Sequence, residues 1–244
     1  MDEIAFHTRL HSPGTILDVG AHDGLIALPL SRLPGSRLVA FEPLPPAFAR
    51  LRATFEAAHN GTVPSHVALR PEALGDRPGR VLLSVPVLDG VAQEQWASTA
   101  KTYAPHLSDR LGVERHEVPV VTLDGLGVPD LTHVKLDAEG FEYEVLRGGR
   151  ETLRRCRPVL SIEVEERHRE GSTWAVPALL DGLGYETRFW LDGRMQPLSA
   201  LDRTTMQRAS ADPAEFGASD PYVFVFFAWP EERSAKVLAA LGSA

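Results

Sequence analysis

The sequence predicts an α/β fold in which a mostly parallel sheet is covered by helices on both faces. Short apolar segments of strand character alternate with segments of helical periodicity, which is the pattern of strand–helix–strand units. The chain has 244 residues, enough to bury the core of one large domain. Neither an internal repeat nor a low-complexity tract interrupts the alternation.

The expected elements follow one another in a regular order. Strands are predicted at Thr15–Ala21, at Arg37–Pro43, within Ser65–Asp76, and at Gly79–Pro86, His116–Leu126, Thr132–Ala138, Arg157–Glu165, Gly184–Trp190 and Pro221–Trp229. The last two are expected to pair antiparallel. Helices are predicted at Gly24–Leu33, from Pro45 through Phe55, and at Trp174–Leu183 and Glu231–Leu241. A further helix is predicted after the strand Thr132–Ala138 and ends at Arg147.

One stretch departs from this alternation. The fourth and fifth predicted strands have no helical pattern between them, and Leu88–Val113 shows weak periodicity with two separated aromatic residues, Trp96 and Tyr103. A long segment of this kind within a compact domain is typical of a functional loop. Because no convincing domain boundary occurs elsewhere, we expect one domain over residues 1–244 with an insert or lid at about 79–126.

Composition excludes several classes of function. A formal charge of −8 argues against a nucleic acid partner, which usually requires a basic face. No apolar run is long enough to span a membrane, and the acidic N-terminal segment does not resemble a secretory signal. The single cysteine, Cys156, fits a reducing compartment. We therefore expect a cytoplasmic protein without a membrane partner.

The first predicted strand ends in a turn of small residues, "DVGAHDG". A dinucleotide site favours G-x-G-x-x-G, so that a pyrophosphate can lie on the helix N-terminus. Here His22 takes the place of the middle glycine, and Asp23 would repel a pyrophosphate. Carboxylates suit instead a ligand with an ammonium and a sulfonium group, which is S-adenosylmethionine (SAM). The candidate cofactor residues in this turn are Asp18, Gly20, Ala21, Asp23 and Gly24.

The ends of the next two strands extend the candidate cofactor site. Glu42, followed by Pro43, ends the second strand, where a carboxylate accepts hydrogen bonds from both ribose hydroxyls. A glutamate at this place also suits NAD, so that it does not discriminate between the two cofactors. After the third strand, Leu74 is placed to pack on the adenine ring and Asp76 to accept from its amino group.

Five segments of the chain occur together in a characteristic order: "ILDVGAHDGLIAL", "AFEPLPPAFARL", "EALGD", "VPVVTLDGL" and "VKLDAEGFEYEVLRGG". The set, and above all the K-x-D-x-E-G-x-E run at Lys135–Glu142, resembles the FkbM-type class I SAM-dependent methyltransferases over about residues 15–166. The resemblance implies a Rossmann-like sheet of seven strands with an antiparallel last strand, SAM as methyl donor, and a hydroxyl acceptor on a sugar or natural product. Family members often carry Asn and an apolar residue where this chain has His22 and Asp23.

Methyl transfer to an alcohol needs a base or a metal ion, because the pKa of a hydroxyl is high. Alternation puts Lys135 and Asp137 on one side of their strand, with Asp137 at the carboxyl end, where ligands bind. Glu163, near the end of the following strand, is expected to face Asp137. By analogy with metal-dependent catechol-type methyltransferases, this pair would hold a divalent ion such as Mg²⁺, and His168 would be a third ligand or a general base. A lysine in an apolar strand needs a carboxylate partner, for which Asp137 and Glu163 are the candidates. The candidate catalytic residues are Lys135, Asp137 and His168.

The acidic residues that follow Asp137 allow a structural interpretation as well. Glu139, Glu142 and Glu144 fall in the first turns of a predicted helix, where acidic side chains interact favourably with the helix dipole. We interpret Glu144 as a solvated residue and Glu142 as mainly structural, and Glu139 lies between the two interpretations.

The sequence thus predicts a SAM-dependent O-methyltransferase of natural product biosynthesis that acts on a hydroxyl of a small molecule. One alternative is a SAM-binding partner or regulatory domain that no longer methylates, against which the intact Lys135, Asp137 and Glu163 argue. The other is an NAD-dependent enzyme, against which Asp23 and the missing middle glycine argue.

Overall fold

The computed structural model describes residues 1–88, 91–92, 111–207 and 221–242, with the backbone alone at Leu88, Val91, Ala92 and Leu111. Strands β1 to β12 are Gly14–Val19, Ser36–Phe41, Val67–Arg70, Ala73–Leu74, Gly79–Leu88, Val91–Ala92, Leu111–Val121, Leu131–Leu136, Val159–Glu163, Tyr185–Leu191, Arg194–Pro197 and Val225–Pro230. Helices α1 to α8 are Glu3–Arg9, Ala27–Ser31, Pro45–Ala58, Glu142–Arg147, Arg150–Cys156, Ser172–Asp181, Arg203–Met206 and Ser234–Leu241.

The central sheet has the strand order β11-β10-β12-β9-β8-β1-β2-β3. The run from β3 to β9 is parallel, whereas β12 is antiparallel to both of its neighbours. This confirms the mostly parallel, Rossmann-like class and the predicted antiparallel pairing of the last two segments. The parallel run also brings the carboxyl ends of β1, β2, β8 and β9 to one edge of the sheet, where ligands of such folds bind.

The central sheet has eight strands instead of the seven expected, because β11 joins its edge. A two-residue turn, Asp192-Gly193, connects β10 to β11 and lets Leu191 pair with Arg194. Both turn residues have positive φ, 50° and 78°. This is the backbone geometry that Asp-Gly favours in tight hairpins. The additional strand is therefore a local consequence of turn chemistry.

The predicted insert contains strands of a second sheet, in the order β4-β7-β5-β6. Its main feature is a long antiparallel hairpin, in which Gly79 pairs with Val120 at one end and Leu88 with Leu111 at the other. The short strand β4, which directly precedes the insert, pairs parallel with the end of β7. Trp96 and Tyr103, the aromatic residues of the predicted lid, lie outside the described residues.

The two faces of the central sheet carry different side chains. One face buries Leu17 and Leu136 in the largest apolar cluster, which α4, α5 and α6 cover. On the other face Asp18 of β1 lies opposite Lys135 of β8, so that the alternation predicted for this strand is confirmed. Helix α1, which the sequence analysis does not predict, packs beside β9 and α8 on this second face. Among the described helices, none has the length and apolar composition to cross a membrane.

Candidate active site

The turn after β1 passes directly over the end of β8. The N–H groups of Gly20 and Ala21 both donate to the carbonyl of Phe41, at 3.0 and 2.9 Å, which holds the turn against the end of β2. Gly20 has φ +75°, and a Cβ added there would fall on the carbonyl oxygen of Asp137. Glycine is therefore required here for both its backbone conformation and its missing side chain.

Replacing Gly20 by alanine is expected to destabilise the fold by about 2–4 kcal/mol, because the left-handed conformation and the clash with Asp137 add together. Gly61→Ala is the matched control, since Gly61 has φ +85° with no atom within 4 Å of an added Cβ. The control should cost only about 1 kcal/mol. Urea unfolding of both variants measures the difference, and equal losses would show that close approach to Asp137 contributes nothing.

A cavity of about 170 Å³ opens beside this turn, at the carboxyl ends of β1, β2 and β8. Five of the predicted cofactor residues line it: Gly20, Glu42, Pro43, Leu74 and Asp137. Lining residues that the sequence analysis did not select for the site include the apolar Phe41, Leu83 and Phe141, and also His22 and Glu139. The cavity thus has an apolar wall and several carboxylates at its rim.

The other five predicted cofactor residues do not line the cavity. Asp18 is fully buried beneath it, and Ala21 packs in the apolar cluster under α2. An added Cβ on Gly24 would contact Leu51, so this glycine lets the turn lie close to α3. Asp23 lies near the ring of His22 at 3.6 Å, and Asp76 forms an ion pair with Arg147. Contact between the cofactor and these five side chains stays a prediction.

Glu42 connects the two turns that border the cavity. Its carboxylate accepts from the N–H of His22 and from the N–H of Leu44, both at 2.9 Å. Burial raises the pKa of Glu42, and the two N–H donors oppose this shift. Each carboxylate oxygen retains a further lone pair, so Glu42 is held in place and is still able to accept from a ligand.

Lys135 lies at the centre of the buried charges below the cavity. Its ammonium donates to the carbonyl of Gly20 at 2.7 Å and is 3.5 Å from Asp18 and 3.6 Å from Asp137. Burial alone lowers the pKa of Lys135, but the carboxylates of Asp18 and Asp137 raise it above its ordinary value. Of the two partners expected, Asp137 is confirmed as a contact. Asp18 is an additional partner, which the pairing of β1 with β8 explains.

The acidic segment after β8 divides into structural and site-facing residues. Glu142 is buried, and its carboxylate accepts from the N–H groups of Ala138 and Gly140 at 2.9 and 3.0 Å. Burial raises the pKa of Glu142 to about 7. This contact confirms the structural interpretation of Glu142. It also holds a turn in which Glu139 has φ +51°, an uncommon conformation for a residue with a side chain.

The interpretation of Glu144 as a solvated residue is wrong. Its carboxylate accepts two hydrogen bonds of 2.6 Å from Arg169, and its side chain is only 15% exposed. The ion pair connects α4 to the segment that follows β9. Sequence spacing does not show this contact, because the two residues are 25 positions apart and belong to different elements.

An acidic cluster lies beside the cavity at the ends of β8 and β9. Glu139, Glu163 and His168 offer ligand atoms that all lie within 4.8 Å of one another, which makes them the compact ligand set found among the described residues. His168 Nε2 is 3.3 Å from Glu139 and 3.2 Å from Glu165. Burial, followed by the carboxylate of Asp137, raises the pKa of Glu163.

The predicted metal pair is thus placed at neighbouring strand ends, but Asp137 is not part of the compact set. The register pairs Leu136 with Ile162, so Asp137 and Glu163 are the next residues on the two neighbouring strands. Their carboxylates are close enough to repel each other. The set contains the predicted Glu163 and His168, with Glu139 in the place expected for Asp137. Carboxylates and imidazoles are common ligands of divalent metal ions, so these three residues could together bind such an ion.

The cavity combines apolar surface with negative charge, which is a combination that suits the chemistry of SAM. Phe41 and Leu74 supply apolar surface for a base, and Glu42 supplies acceptors for a ribose. Asp137, whose Oδ1 accepts no hydrogen bond among the described residues, adds negative charge at the rim. A sulfonium and an ammonium group both favour such an anionic site.

Comparison with known proteins points to methyltransferases. The family model "Methyltransferase FkbM domain" matches residues 18–192. The 2-O-methyltransferase NoeI of Sinorhizobium fredii is 31% identical over 177 residues, 68% of this chain and 69% of that protein. Methyltransferase 1 of Beauveria bassiana is 32% identical over 146 residues, which cover 54% of this chain and 57% of that protein.

A solved structure shows a similar fold. The crystal structure of Methyltransferase FkbM from Methylobacillus flagellatus superimposes with a TM-score of 0.56 at 15% identity. The match covers 89% of this chain but only 44% of that protein, so the present chain spans less than half of its length. With the family model matched over most of the central sheet and the cavity, the chain belongs to the FkbM family of SAM-dependent methyltransferases.

Proposed function

We propose that the protein transfers the methyl group of SAM to a hydroxyl group of a small molecule, either a sugar or a secondary metabolite. The observation that carries this proposal is the acidic cluster of Glu139, Glu163 and His168 at the edge of the cofactor cavity. It lies at the ends of β8 and β9, so an acceptor bound there would have its hydroxyl between the cluster and the methyl group.

The requirements of the reaction explain why such a cluster is needed. Methyl transfer is an in-line displacement, in which the oxygen of the acceptor attacks the methyl carbon and the sulfonium leaves as a neutral thioether. The protein must therefore align the acceptor and exclude water. It must also accept the hydroxyl proton, because a neutral alcohol is a weak nucleophile.

The cavity residues have separate roles in this proposal. Glu42 accepts from the ribose hydroxyls, and Leu74 with Phe41 packs against the adenine ring. The anionic rim at Asp137 holds the ammonium of the methionine part. Lys135 acts as a positioning residue, because its raised pKa keeps it protonated and a protonated amine accepts no proton. It holds the Gly20 carbonyl and two carboxylates in place.

The hydroxyl proton goes to the acidic cluster. His168 is held between Glu139 and Glu165, which orient the imidazole and stabilise it when it is charged. A divalent ion held by Glu139, Glu163 and His168 would lower the pKa of a coordinated hydroxyl. The similarity to a protein named as a 2-O-methyltransferase supports oxygen as the acceptor atom.

Replacing Glu42 by alanine is expected to weaken SAM binding at least tenfold, because the ribose loses its acceptor and two backbone N–H groups lose theirs. Isothermal titration with SAM measures the change. Glu56→Ala is the control, since Glu56 on α3 forms an ion pair with Arg52 away from the cavity lining. SAM binding that is unchanged in Glu42→Ala, or wild-type protein that binds NAD and not SAM, would overturn the cofactor assignment.

The acceptor class is tested by incubation with SAM and a panel of sugars and secondary-metabolite alcohols. We expect a product whose mass has increased by one methylene group and which carries an O-methyl group by NMR. Methylation confined to amines or thiols in the panel would contradict the proposed oxygen acceptor.

A further inference from the structure

A continuous chain of hydrogen bonds runs from the segment after α1 to the first turn of that helix. The backbone N–H of Ser12 donates to Nε2 of His133 at 3.3 Å, and Nδ1 of His133 is 3.1 Å from Nδ1 of His7. Nε2 of His7 is 3.0 Å from Oγ of Ser161, which donates to the carboxylate of Glu3 at 2.7 Å. Both imidazoles and Ser161 are fully buried.

The two ends of this chain determine the direction of every hydrogen bond in it. A backbone N–H only donates, so Nε2 of His133 is an unprotonated acceptor and the ring proton lies on Nδ1. That proton points to Nδ1 of His7, which must accept, so the proton of His7 lies on Nε2. His7 then donates to Ser161, whose hydroxyl donates to Glu3. Each neutral histidine is thus restricted to one tautomer.

The chain ends at a carboxylate that faces the charges beneath the cofactor cavity. Burial raises the pKa of Glu3, and the ammonium of Lys135 opposes the shift, whereas Asp18 and Asp137 reinforce it. The sheet register places Glu3 near Lys135, because Ser161, which donates to Glu3, pairs with Lys135 across β9 and β8. Lys135 in turn holds the Gly20 turn. Glu3 thus joins Asp18 and Asp137 as an acidic group that acts on the ammonium of Lys135, so that carboxyl groups outnumber the cation beneath the cavity.

We propose that helix α1 is part of the cofactor site, and that Glu3 is a positioning residue whose charge keeps Lys135 in place and favours the cationic cofactor over its demethylated product. SAM carries a sulfonium, whereas S-adenosylhomocysteine has a neutral thioether at the same atom. A negative charge below the cavity therefore stabilises SAM more than the product. This inference rests on the binding of SAM in the cavity proposed above.

The test compares the affinities of SAM and S-adenosylhomocysteine in Glu3→Gln by isothermal titration. The amide keeps the shape of the side chain and removes its charge. We expect the Kd for SAM to rise roughly threefold to tenfold and the Kd for S-adenosylhomocysteine to change less than twofold. A purely structural role of Glu3 would raise both values equally, and an unchanged ratio of the two would overturn the proposal.

Two control variants separate this effect from others. Glu3→Asp keeps the charge and should retain most of the wild-type preference for SAM. Glu151→Gln removes the same charge from an exposed position on α5 and should leave both affinities unchanged. If wild-type protein binds neither ligand, the proposed cofactor site itself fails, which is a different outcome from an unchanged ratio in Glu3→Gln.

A second measurement tests the hydrogen-bond chain without reference to activity or to folding of a variant. Nitrogen-15 NMR of histidine-labelled wild-type protein at neutral pH should show His133 protonated at Nδ1 and His7 protonated at Nε2. The Nδ1–H form is the less common tautomer of a free imidazole, so its presence at His133 is diagnostic. The opposite tautomer at either ring, or a charged ring, would contradict the chain.

Discussion

Replacing Lys135 by methionine is expected to destabilise the protein by about 3–5 kcal/mol, because it leaves buried carboxylates without their cation. Asp18 is fully buried, and its carboxylate lies 3.5 Å from Nζ of Lys135. The carboxylate of Asp137 lies 3.6 Å from the same nitrogen. Methionine has similar length, so the loss reports charge rather than a cavity. The ammonium also donates hydrogen bonds to the carbonyls of Val19 and Gly20, at 3.3 and 2.7 Å. Loss of these two hydrogen bonds would loosen the cofactor turn.

Two further variants make this expectation specific. Combining Lys135→Met with Asp18→Asn removes the stranded charge as well, and we expect the double variant to regain at least half of the lost stability. Arg52→Met breaks an exposed ion pair with Glu56 and should cost at most about 0.5 kcal/mol. Urea unfolding measures all four proteins. A Lys135→Met variant as stable as Arg52→Met would show that these buried charges do not hold the turn.

The edge of the sheet that carries the site was predictable from the sequence because strand character and strand ends are local properties. The alternation in "THVKLDA" placed Lys135 opposite to Leu136, and the end of each strand located Gly20, Glu42 and Asp137 at one edge. All three line the cavity. The expected antiparallel pairing of the last two predicted strands is also present.

Contacts between elements distant in sequence were not predictable in the same way. Asp18 became a partner of Lys135 only through the register of β1 and β8, which alternation along one strand does not reveal. Glu3 and His7 lie on a helix of seven residues, too short to give a periodic signal. The hairpin at Asp192-Gly193, in contrast, had a recognisable sequence signal that could have predicted the eighth strand.

The acidic run after β8 shows why charge counts alone mislead. Four carboxylates fall within eight positions, but the backbone divides them. Glu142 turns back to the N–H groups of its own loop, and Glu144 pairs with Arg169. Glu139, which has a left-handed backbone conformation, is the member directed towards His168. Local hydrogen bonding decides these directions, and spacing in the sequence does not record it.

The acidic cluster leads to the largest expected effect on turnover. His168→Gln is expected to lower kcat by about 10²–10⁴-fold, because the imidazole accepts the hydroxyl proton or ligates the ion that acidifies the hydroxyl. The Kd for SAM should change less than threefold, since His168 does not line the cofactor cavity. Glu144→Gln is the control, because its carboxylate pairs with Arg169 and not with the cluster. Wild-type kcat in His168→Gln would place proton acceptance elsewhere.

Glu163→Gln distinguishes the two ways in which the cluster can act. Without an ion, burial beside Asp137 favours the protonated acid, which an amide imitates, so kcat should fall less than about fivefold. With an ion, the carboxylate must be ionised to ligate, and the amide should reduce kcat to the level of His168→Gln. EDTA treatment of the wild type gives an independent result. If the cluster acts with an ion, EDTA should abolish turnover and Mg²⁺ should restore it. If the cluster acts without an ion, turnover in EDTA should be unchanged. A large loss in Glu163→Gln with full turnover in EDTA would contradict both, since it would require an ionised Glu163 with no cation to stabilise it.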